Sequence, residues 1–229
     1  MVEKAVVSVL NKRGPKPKGK VKLKWSANFA YAIGLITTDG CLSKDRSHID
    51  LTSKDFEQME NFRKALNIDI TIGEKNYKGK HAYRVQVGDV LFYQFLESVG
   101  LTQAKSKTIS KVSLPKKYFF DFLRGCFDGD GSFYSYYDKR WKSSFMFYLT
   151  LASASMGFLD WVRKELSERL GVVGHVSSAK NHSTSQLRYA KKEAVEIIKK
   201  MYYNNEVICL SRKRKKIEVV LSNKNYTTN

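Results

Sequence analysis

Two nine-residue stretches, AIGLITTDG at residues 32–40 and LRGCFDGDG at residues 123–131, have a glycine in the third position and end in Asp-Gly. Each closes an apolar helical pattern, at residues 29–40 and 118–131. A glycine inside a helix costs about 1 kcal/mol. Its matched placement at Gly34 and Gly125 therefore predicts that two helices approach closely there. Each final glycine suits a left-handed helix C-cap.

The sequence after each stretch repeats at a spacing of one hundred residues. IDLTSKD at 49–55 and LTLASAS at 149–155 each lead into an amphipathic helical pattern. Two alternating stretches and another helix follow, at Ile68–Lys75, Ala82–Val87 and Val90–Val99 in one half and at Val172–Ala179, Ser185–Tyr189 and Lys192–Tyr202 in the other. The chain therefore predicts an α+β fold of two pseudo-symmetric αββαββα halves.

These patterns also predict the domain organisation. The first half covers residues 25–109 and the second covers residues 118–222, with a linker at 110–117 and a tail at 223–229. Residues 1–24 form a predicted basic arm, because 11–24 hold seven basic and no acidic residues and cannot build a core.

Composition narrows the class of protein. The 229 residues carry a formal net charge of +19, which predicts a polyanionic partner, and 13% aromatic residues exclude intrinsic disorder. Membrane spans are not expected, because no apolar run approaches the ~20 residues that a span needs. Three cysteines without a CxxC pair and a poor signal peptide predict an intracellular, non-secreted protein. Bacterial or phage cytoplasm and an organelle stay open.

The two Asp-Gly steps place carboxylates where a cation is needed. Asp39 and Asp130 are expected at the C-terminal ends of their helices, near the negative end of the helix dipole. Helices packed at the glycines would bring the two acids together. Paired carboxylates with nearby backbone carbonyls form a hard-oxygen site suited to Mg²⁺.

The paired motifs, the junctions at LTSKD and LASAS and the basic cluster closing each half resemble the LAGLIDADG homing endonucleases, in their single-chain form. The resemblance implies saddle-shaped antiparallel sheets in the DNA major groove and paired motif helices at the interface. It also implies that a monomer cuts both strands of a long asymmetric DNA site and leaves short 3′ overhangs, as in intron homing. Asp39 and Asp130 correspond to the metal-binding acids, with the carbonyls of Thr38 and Gly129 as further ligands. Mg²⁺ is the expected cofactor, and Ca²⁺ or Mn²⁺ are expected to substitute in vitro.

Two lysines are candidate catalytic residues. Lys105 and Lys213 each lie four residues before an isoleucine near the end of a half, where the family places a basic residue. There a lysine could stabilise charge developing at a phosphate. The alternative is phosphate contact without catalysis. Ile33 and Arg124 depart from the family, which has a small residue beside the motif glycine, and are expected to make the helix interface less ideal.

Strand residues that face outward are candidate DNA contacts, because Arg and Gln suit guanine and adenine edges. Arg84 and Gln86 share one face of their strand, and Arg188 and Gln186 share a face in the second half. The candidates are Ser43, Arg46, His48, Asp50, Arg84, Gln86, Tyr134, Tyr136, Lys139, Arg140, Tyr148, Thr150, Gln186 and Arg188. A plain solvated face is the alternative.

Two further functions fit the charge and the resemblance. One is an intron maturase that binds intron RNA, with or without cleavage, and the other is a non-cleaving DNA-binding regulator. The presence of both acids favours cleavage, because a pure binder that faces phosphates has no electrostatic use for two carboxylates there.

Overall fold

The computed structural model describes residues 19–77, 79–141, 144–178 and 183–222. The first half contains α1 (Ala27–Asp39), β1 (Gly40–Leu42), β2 (His48–Ser53), α2 (Phe56–Leu66), β3 (Gly73–Tyr77), β4 (Lys80–Gly88) and α3 (Val90–Ser98). The second contains α4 (Phe119–Asp130), β5 (Gly131–Tyr137), β6 (Phe145–Ser153), α5 (Met156–Leu170), β7 (His175–Ser178), β8 (Ser185–Ala190) and α6 (Lys191–Met201), followed by α7 (Ser211–Leu221). No helix in these ranges is long and apolar enough to cross a membrane.

Each half builds one four-stranded antiparallel sheet, in the order β1-β2-β4-β3 and β5-β6-β8-β7. The registers are equivalent, since Gly40 pairs with Leu51 and Gly131 pairs with Leu151. The predicted α+β fold with two pseudo-symmetric halves is confirmed.

The observed elements differ from the sequence prediction in three places. Strand β7 begins at His175 rather than at residue 172. Strand β3 begins at Gly73 rather than at residue 68, because the alternating Ile68, Ile70 and Ile72 pack against the core before pairing with β4 starts. The basic run near the end of the chain lies in a helix, α7, that the prediction lacked. Its apolar Ile217 and Val220 are buried while most of its basic residues stay outside.

The motif helices α1 and α4 pack against each other at the interface between the halves. A Cβ atom on Gly34 would overlap the carbonyl oxygen of Phe122 and lie 2.9 Å from the backbone nitrogen of Cys126. A Cβ on Gly125 would likewise overlap the carbonyl oxygen of Tyr31. The close approach that the matched glycines predicted is therefore present, and only glycine permits it.

Arg124 does not weaken this interface. Its fully buried guanidinium points toward the segment after α6 and donates to the carbonyl oxygens of Met201 (2.7 Å) and Ile208 (2.9 Å). It also bonds Asp121 at 2.9 Å. The expected defect is absent because the side chain leaves the helix pair and ties α4 to the chain between α6 and α7.

The chain outside the repeated elements packs on them. Lys20 and Val21 donate backbone hydrogen bonds to Asp89 (2.6 and 2.9 Å), and Val21 is buried. Residues 19–24, which the sequence assigned to the arm, thus belong to the fold, while 1–18 and the tail 223–229 lie outside the described residues. Within the predicted linker, Val112 is buried in the core.

Candidate functional site

The acids Asp39 and Asp130 are the last residues of α1 and α4. The glycines that follow cap their helices by donating to the carbonyl oxygens of Ile36 and Phe127. Both have extended backbones (φ −83° and −85°), so the predicted left-handed caps are wrong. Glycine is needed for space instead, since a Cβ at Gly40 would lie 2.6 Å from the Cα of Ile36.

The two acids share one electrostatic environment. Burial raises the pKa of Asp39 to about 6, and the negative charge of Asp130 contributes to the increase. Partial burial also raises the pKa of Asp130, while Lys213 and Lys105 oppose the shift. A Cβ on Gly129 would lie 3.0 Å from Oδ2 of Asp39, so the ends of the two helices are in contact. The structure thus places both carboxylates at one location.

The candidate lysines lie beneath these helix ends. Lys213 Nζ donates to the carbonyl oxygens of three residues in the last turn of α4, Phe127 (2.6 Å), Asp128 (2.7 Å) and Gly129 (3.2 Å), and of Gly131 (2.7 Å) at the start of β5. Lys105 Nζ donates to the carbonyl of Gly40, the counterpart of Gly131. The lysines are only 4% (Lys105) and 8% (Lys213) exposed, and burial lowers the pKa of Lys213 to about 8. They therefore carry charge beside the acids without extending into solvent.

Gln58 is a residue of this site that the sequence analysis missed. Its Nε2 donates to Asp39 Oδ2 at 2.6 Å, and its Oε1 accepts from Ser53 Oγ at 3.0 Å. The side chain reaches Asp39 from the first turn of α2 and is 2% exposed. No motif signalled it, because a glutamine near a helix start is unremarkable in sequence.

Asp128 was also missed, although it lies within the second motif. Its buried Oδ2 accepts from the Tyr31 hydroxyl and from the Leu210 backbone nitrogen, each at 2.7 Å. Burial raises its pKa to about 6. Asp128 therefore joins α1, α4 and the start of α7, behind the paired helix ends.

Each lysine segment is also contacted by the opposite half of the molecule. Arg212, next to Lys213, makes a two-pronged ion pair with Asp55 of the first half (2.9 and 2.6 Å). In the second half, the Ser155 hydroxyl donates to the carbonyl of Ile109, at the end of the Lys105 turn. The two halves are thus reciprocally braced around the acids.

The residues at the helix ends fit a divalent cation of the Mg²⁺ class. They offer two carboxylates and the carbonyls of Thr38 and Gly129, all hard oxygen donors. Among residues 19–77, 79–141, 144–178 and 183–222 there is no cluster of three His, Cys, Asp or Glu side chains that could hold a metal. Such a donor set suits an ion that keeps waters and takes substrate phosphate oxygens as its other ligands.

In the first sheet, the outward face of β2 and β4 is polar and internally paired. Arg84 Nε bonds Asp50 at 2.7 Å across the strands, and Gln86 lies beside them, exposed. His48 bonds Asp45 through Nδ1 at 2.6 Å. Arg46 of the β1–β2 turn pairs with Glu97 of α3 at 2.8 Å, and Ser43 bonds Asp50 at 3.4 Å.

In the second sheet, the outward face is aromatic. Tyr134, Tyr136 and Tyr148 form a cluster of near-parallel rings with centroids 5.3–6.4 Å apart. Arg188 bonds the amide oxygen of Gln186 (2.8 Å). Lys139 and Arg140 are exposed where β5 turns toward β6.

Thr150 is a correction to the predicted DNA contacts. It points to the outward face but is only 4% exposed, and its hydroxyl lies 2.6 Å from the hydroxyl of Ser132 on β5. Neighbouring side chains cover it, which period-two alternation along a strand does not reveal. Ser132, which is exposed on the same face, was missed.

This arrangement of helices and sheets is similar to that of known proteins. Residues 119–216 match the model of the LAGLIDADG-like domain, and no curated protein matches the chain. The I-LtrWI LAGLIDADG homing endonuclease bound to target DNA is similar in structure, with 13% identity and a TM-score of 0.59 over 88% of this chain and 91% of that chain. The chain has the two-domain LAGLIDADG fold. The predicted resemblance is thereby confirmed.

Two further structures are similar to this LAGLIDADG chain. I-DmoI in complex with DNA and Ca is 16% identical, with a TM-score of 0.55 over 84% of this chain and 97% of that one. Full-length DUF199/WhiA from Thermatoga maritima is 16% identical, with a TM-score of 0.54 over 91% of this chain. The chain spans 64% of that WhiA protein. The LAGLIDADG fold is thus shared by proteins named as endonucleases and by one that is not.

Proposed function

We propose that this LAGLIDADG protein is a site-specific DNA endonuclease that hydrolyses both strands of a long asymmetric target and leaves short 3′ overhangs. The observation that carries the proposal is the meeting of Asp39 and Asp130 at the ends of the paired helices, one acid from each half. Two halves with one acid each suit the two scissile phosphates of a duplex.

The electrostatics of the site argue for a bound cation. Two carboxylates meet at the negative ends of two helix dipoles, and their pKa values are raised. In a protein of net charge +19, this cluster opposes phosphate binding unless a cation bridges acid and phosphate. A protein that only bound nucleic acid would gain by lacking both acids.

Asp39, Asp130 and the carbonyls of Thr38 and Gly129 would hold Mg²⁺, or Ca²⁺ and Mn²⁺ in its place. The similar I-DmoI structure is a complex with DNA and Ca. A divalent ion bound there would polarise the phosphate and lower the pKa of the attacking water. Lys105 and Lys213 hold positive charge beside the acids and fix the carbonyl ends of both helices.

The two sheets would read the target, the first through Arg84 and Gln86 and the second through the tyrosine cluster and Arg188. Because one chain supplies both halves, the protein would act as a monomer on an asymmetric site. Intron homing is the proposed setting, in which the target is the uninterrupted insertion point of the gene.

The test is cleavage of a DNA library built from sequences that flank the gene's own insertion point. We expect a discrete double-strand break with Mg²⁺ and none with EDTA, mapped by sequencing the ends. A target bound tightly and left intact with Mg²⁺ and Mn²⁺ would overturn the endonuclease.

A non-cleaving binder is the second candidate, because WhiA has the same fold without being named an endonuclease. A DNA-binding regulator would protect a discrete duplex without a metal-dependent break. An intron maturase would bind folded intron RNA, and a bifunctional maturase would do so while also cutting DNA. Parallel binding measurements with the duplex and with the intron transcript separate these outcomes.

A further inference from the structure

Gln58 links Asp39 to a chain of hydrogen bonds that begins at the backbone. The Asp55 backbone nitrogen donates to Ser53 Oγ at 3.1 Å, Ser53 Oγ donates to Gln58 Oε1, and Gln58 Nε2 donates to Asp39 Oδ2. All three hydrogen bonds run in the same direction, from the Asp55 backbone toward Asp39. The buried amide is thereby fixed both in position and in orientation.

This orientation matters for the carboxylate. A flipped amide would direct its oxygen at Asp39, where two acceptors would repel each other. With the observed orientation, Asp39 Oδ2 is occupied by the amide and the carboxylate plane is held. Oδ1 is left for another partner, since no hydrogen bond to it is present in the part of the chain that the structure describes.

The described part of the second half has no amide side chain that donates to its acid. At the spacing of one hundred residues, Gln58 corresponds to Phe158, which is buried and lines a cleft together with Asp130. Ser153, the counterpart of Ser53, accepts from the Ser155 backbone nitrogen at 3.1 Å but faces no amide. Within the described ranges, no side chain donates a hydrogen bond to Asp130, and that residue is exposed.

We infer that Gln58 is a positioning residue that preorganises Asp39, and not Asp130, for a divalent cation. The inference rests on the proposed endonuclease function. Hydrogen bonds to a ligating carboxylate fix its orientation and typically change metal affinity or activity by about 10- to 100-fold when removed. The two acids are therefore unequal ligands, and the strand that depends on Asp39 is cut first.

The principal variant is Gln58→Met, which keeps the length of the side chain and removes the donor. Ca²⁺ titration by calorimetry, on the full chain without DNA, should show about tenfold weaker binding. Cleavage of a duplex labelled on each strand should lose its order, so that both nicks appear together. Thermal unfolding without metal checks that the variant is folded.

Two serine variants at equivalent positions test the same role of Gln58 if Gln58→Met does not fold. Ser53→Ala removes the donor that orients the amide and should weaken Ca²⁺ binding several-fold. Ser153→Ala, at the equivalent place without an amide, should leave it unchanged. Equal effects of the two serine variants would contradict a specific role for Gln58.

The outcomes separate this inference from the proposed function. If wild-type protein cuts DNA and Gln58→Met matches it in Ca²⁺ affinity and strand order, Gln58 has no positioning role and the endonuclease stands. If wild-type protein cuts nothing with any divalent ion, the proposed function fails. The Ca²⁺ titration then still decides whether Gln58 positions Asp39.

Discussion

The two halves of the molecule repeat one topology but support their acids differently. In the first half, a side-chain amide holds Asp39 and Lys105 donates to one carbonyl at the helix end. In the second half, Asp130 is exposed and Lys213 donates to four carbonyls. The placement of the acids therefore comes from the shared helix pair, whereas their local environment has diverged.

The outward faces of the sheets differ in the same way. The first presents the Asp50–Arg84 ion pair, and the second presents three packed tyrosines. A charged pair can exchange hydrogen bonds with base edges, while phenol rings offer a rigid, largely apolar surface. Equivalent strands of the two halves thus carry outward surfaces of different chemistry.

The largest effect should come from the acids, where the halves are expected to behave alike. Asp39→Asn or Asp130→Asn should lower double-strand cleavage at least about 10³-fold, since each removes one of the proposed metal ligands. DNA affinity in Ca²⁺ should be retained, measured by gel shift. Wild-type cleavage by either variant would show that the acid assignment is wrong.

The glycines at the helix crossing should affect stability in both halves equally. Gly34→Ala and Gly125→Ala each push a methyl group into the backbone of the partner helix and should destabilise by about 3 kcal/mol or more in urea unfolding. Gly157→Ala is the control, because its Cβ would lie 3.5 Å from Ser110, an ordinary contact. Comparable losses in all three variants would contradict a close crossing.

Substitution of the two lysines should destabilise the protein to different extents. Lys213→Met leaves several buried carbonyls without a donor and should destabilise by about 2–3 kcal/mol, measured by urea unfolding. Lys105→Met removes one such bond and should cost about 1 kcal/mol. Equal losses would mean that the different numbers of carbonyl contacts have no energetic consequence.

The pH dependence of stability should also differ between the acids. Because the pKa of Asp39 is raised to about 6, the folded state binds its proton more tightly than the unfolded state does. Without metal, stability from this group is present below about pH 4 and is lost as the pH rises toward 6. Asp39→Asn should therefore stabilise by on the order of 1–2 kcal/mol above pH 6, and this gain should vanish near pH 4. Asp130→Asn should gain less, because Asp130 is more exposed; thermal unfolding across pH measures both.

The smallest effect on overall cleavage should come from the arginines that we propose to read bases. Arg84→Ala should relax preference at a few base pairs of one half-site, and Arg188→Ala at the other, each by about 1–3 kcal/mol. Cleavage of single-substitution target libraries measures both. Uniform weakening at every position would identify a phosphate contact instead.

The fold could be predicted from sequence because its signals are local and occur twice. The motif glycines and acids occupy matched positions in the two copies, Gly34 with Gly125 and Asp39 with Asp130. The prediction made from one copy was therefore strengthened by the other. Gln58 could not be found in this way, since it reaches Asp39 from another helix and its counterpart is a phenylalanine. The burial of Thr150 depends on cross-strand neighbours, and the cap at Gly40 depends on the turn into β1. Repetition in sequence identifies what the halves share, and contacts between elements determine where they differ.

The reciprocal bracing of the lysine segments has a consequence for recombining halves from different proteins. Residues 110–117 are the natural place to join a half from one protein to a half from another. Such an exchange would replace one partner in each of two contacts between the halves, Ile109 with Ser155 and Arg212 with Asp55. In a chimera joined there, the Lys105 turn and the start of α7 would each face a half that lacks the residue with which it pairs in this protein. Transplanting a half therefore requires the matching residues on the opposite half to be transplanted with it.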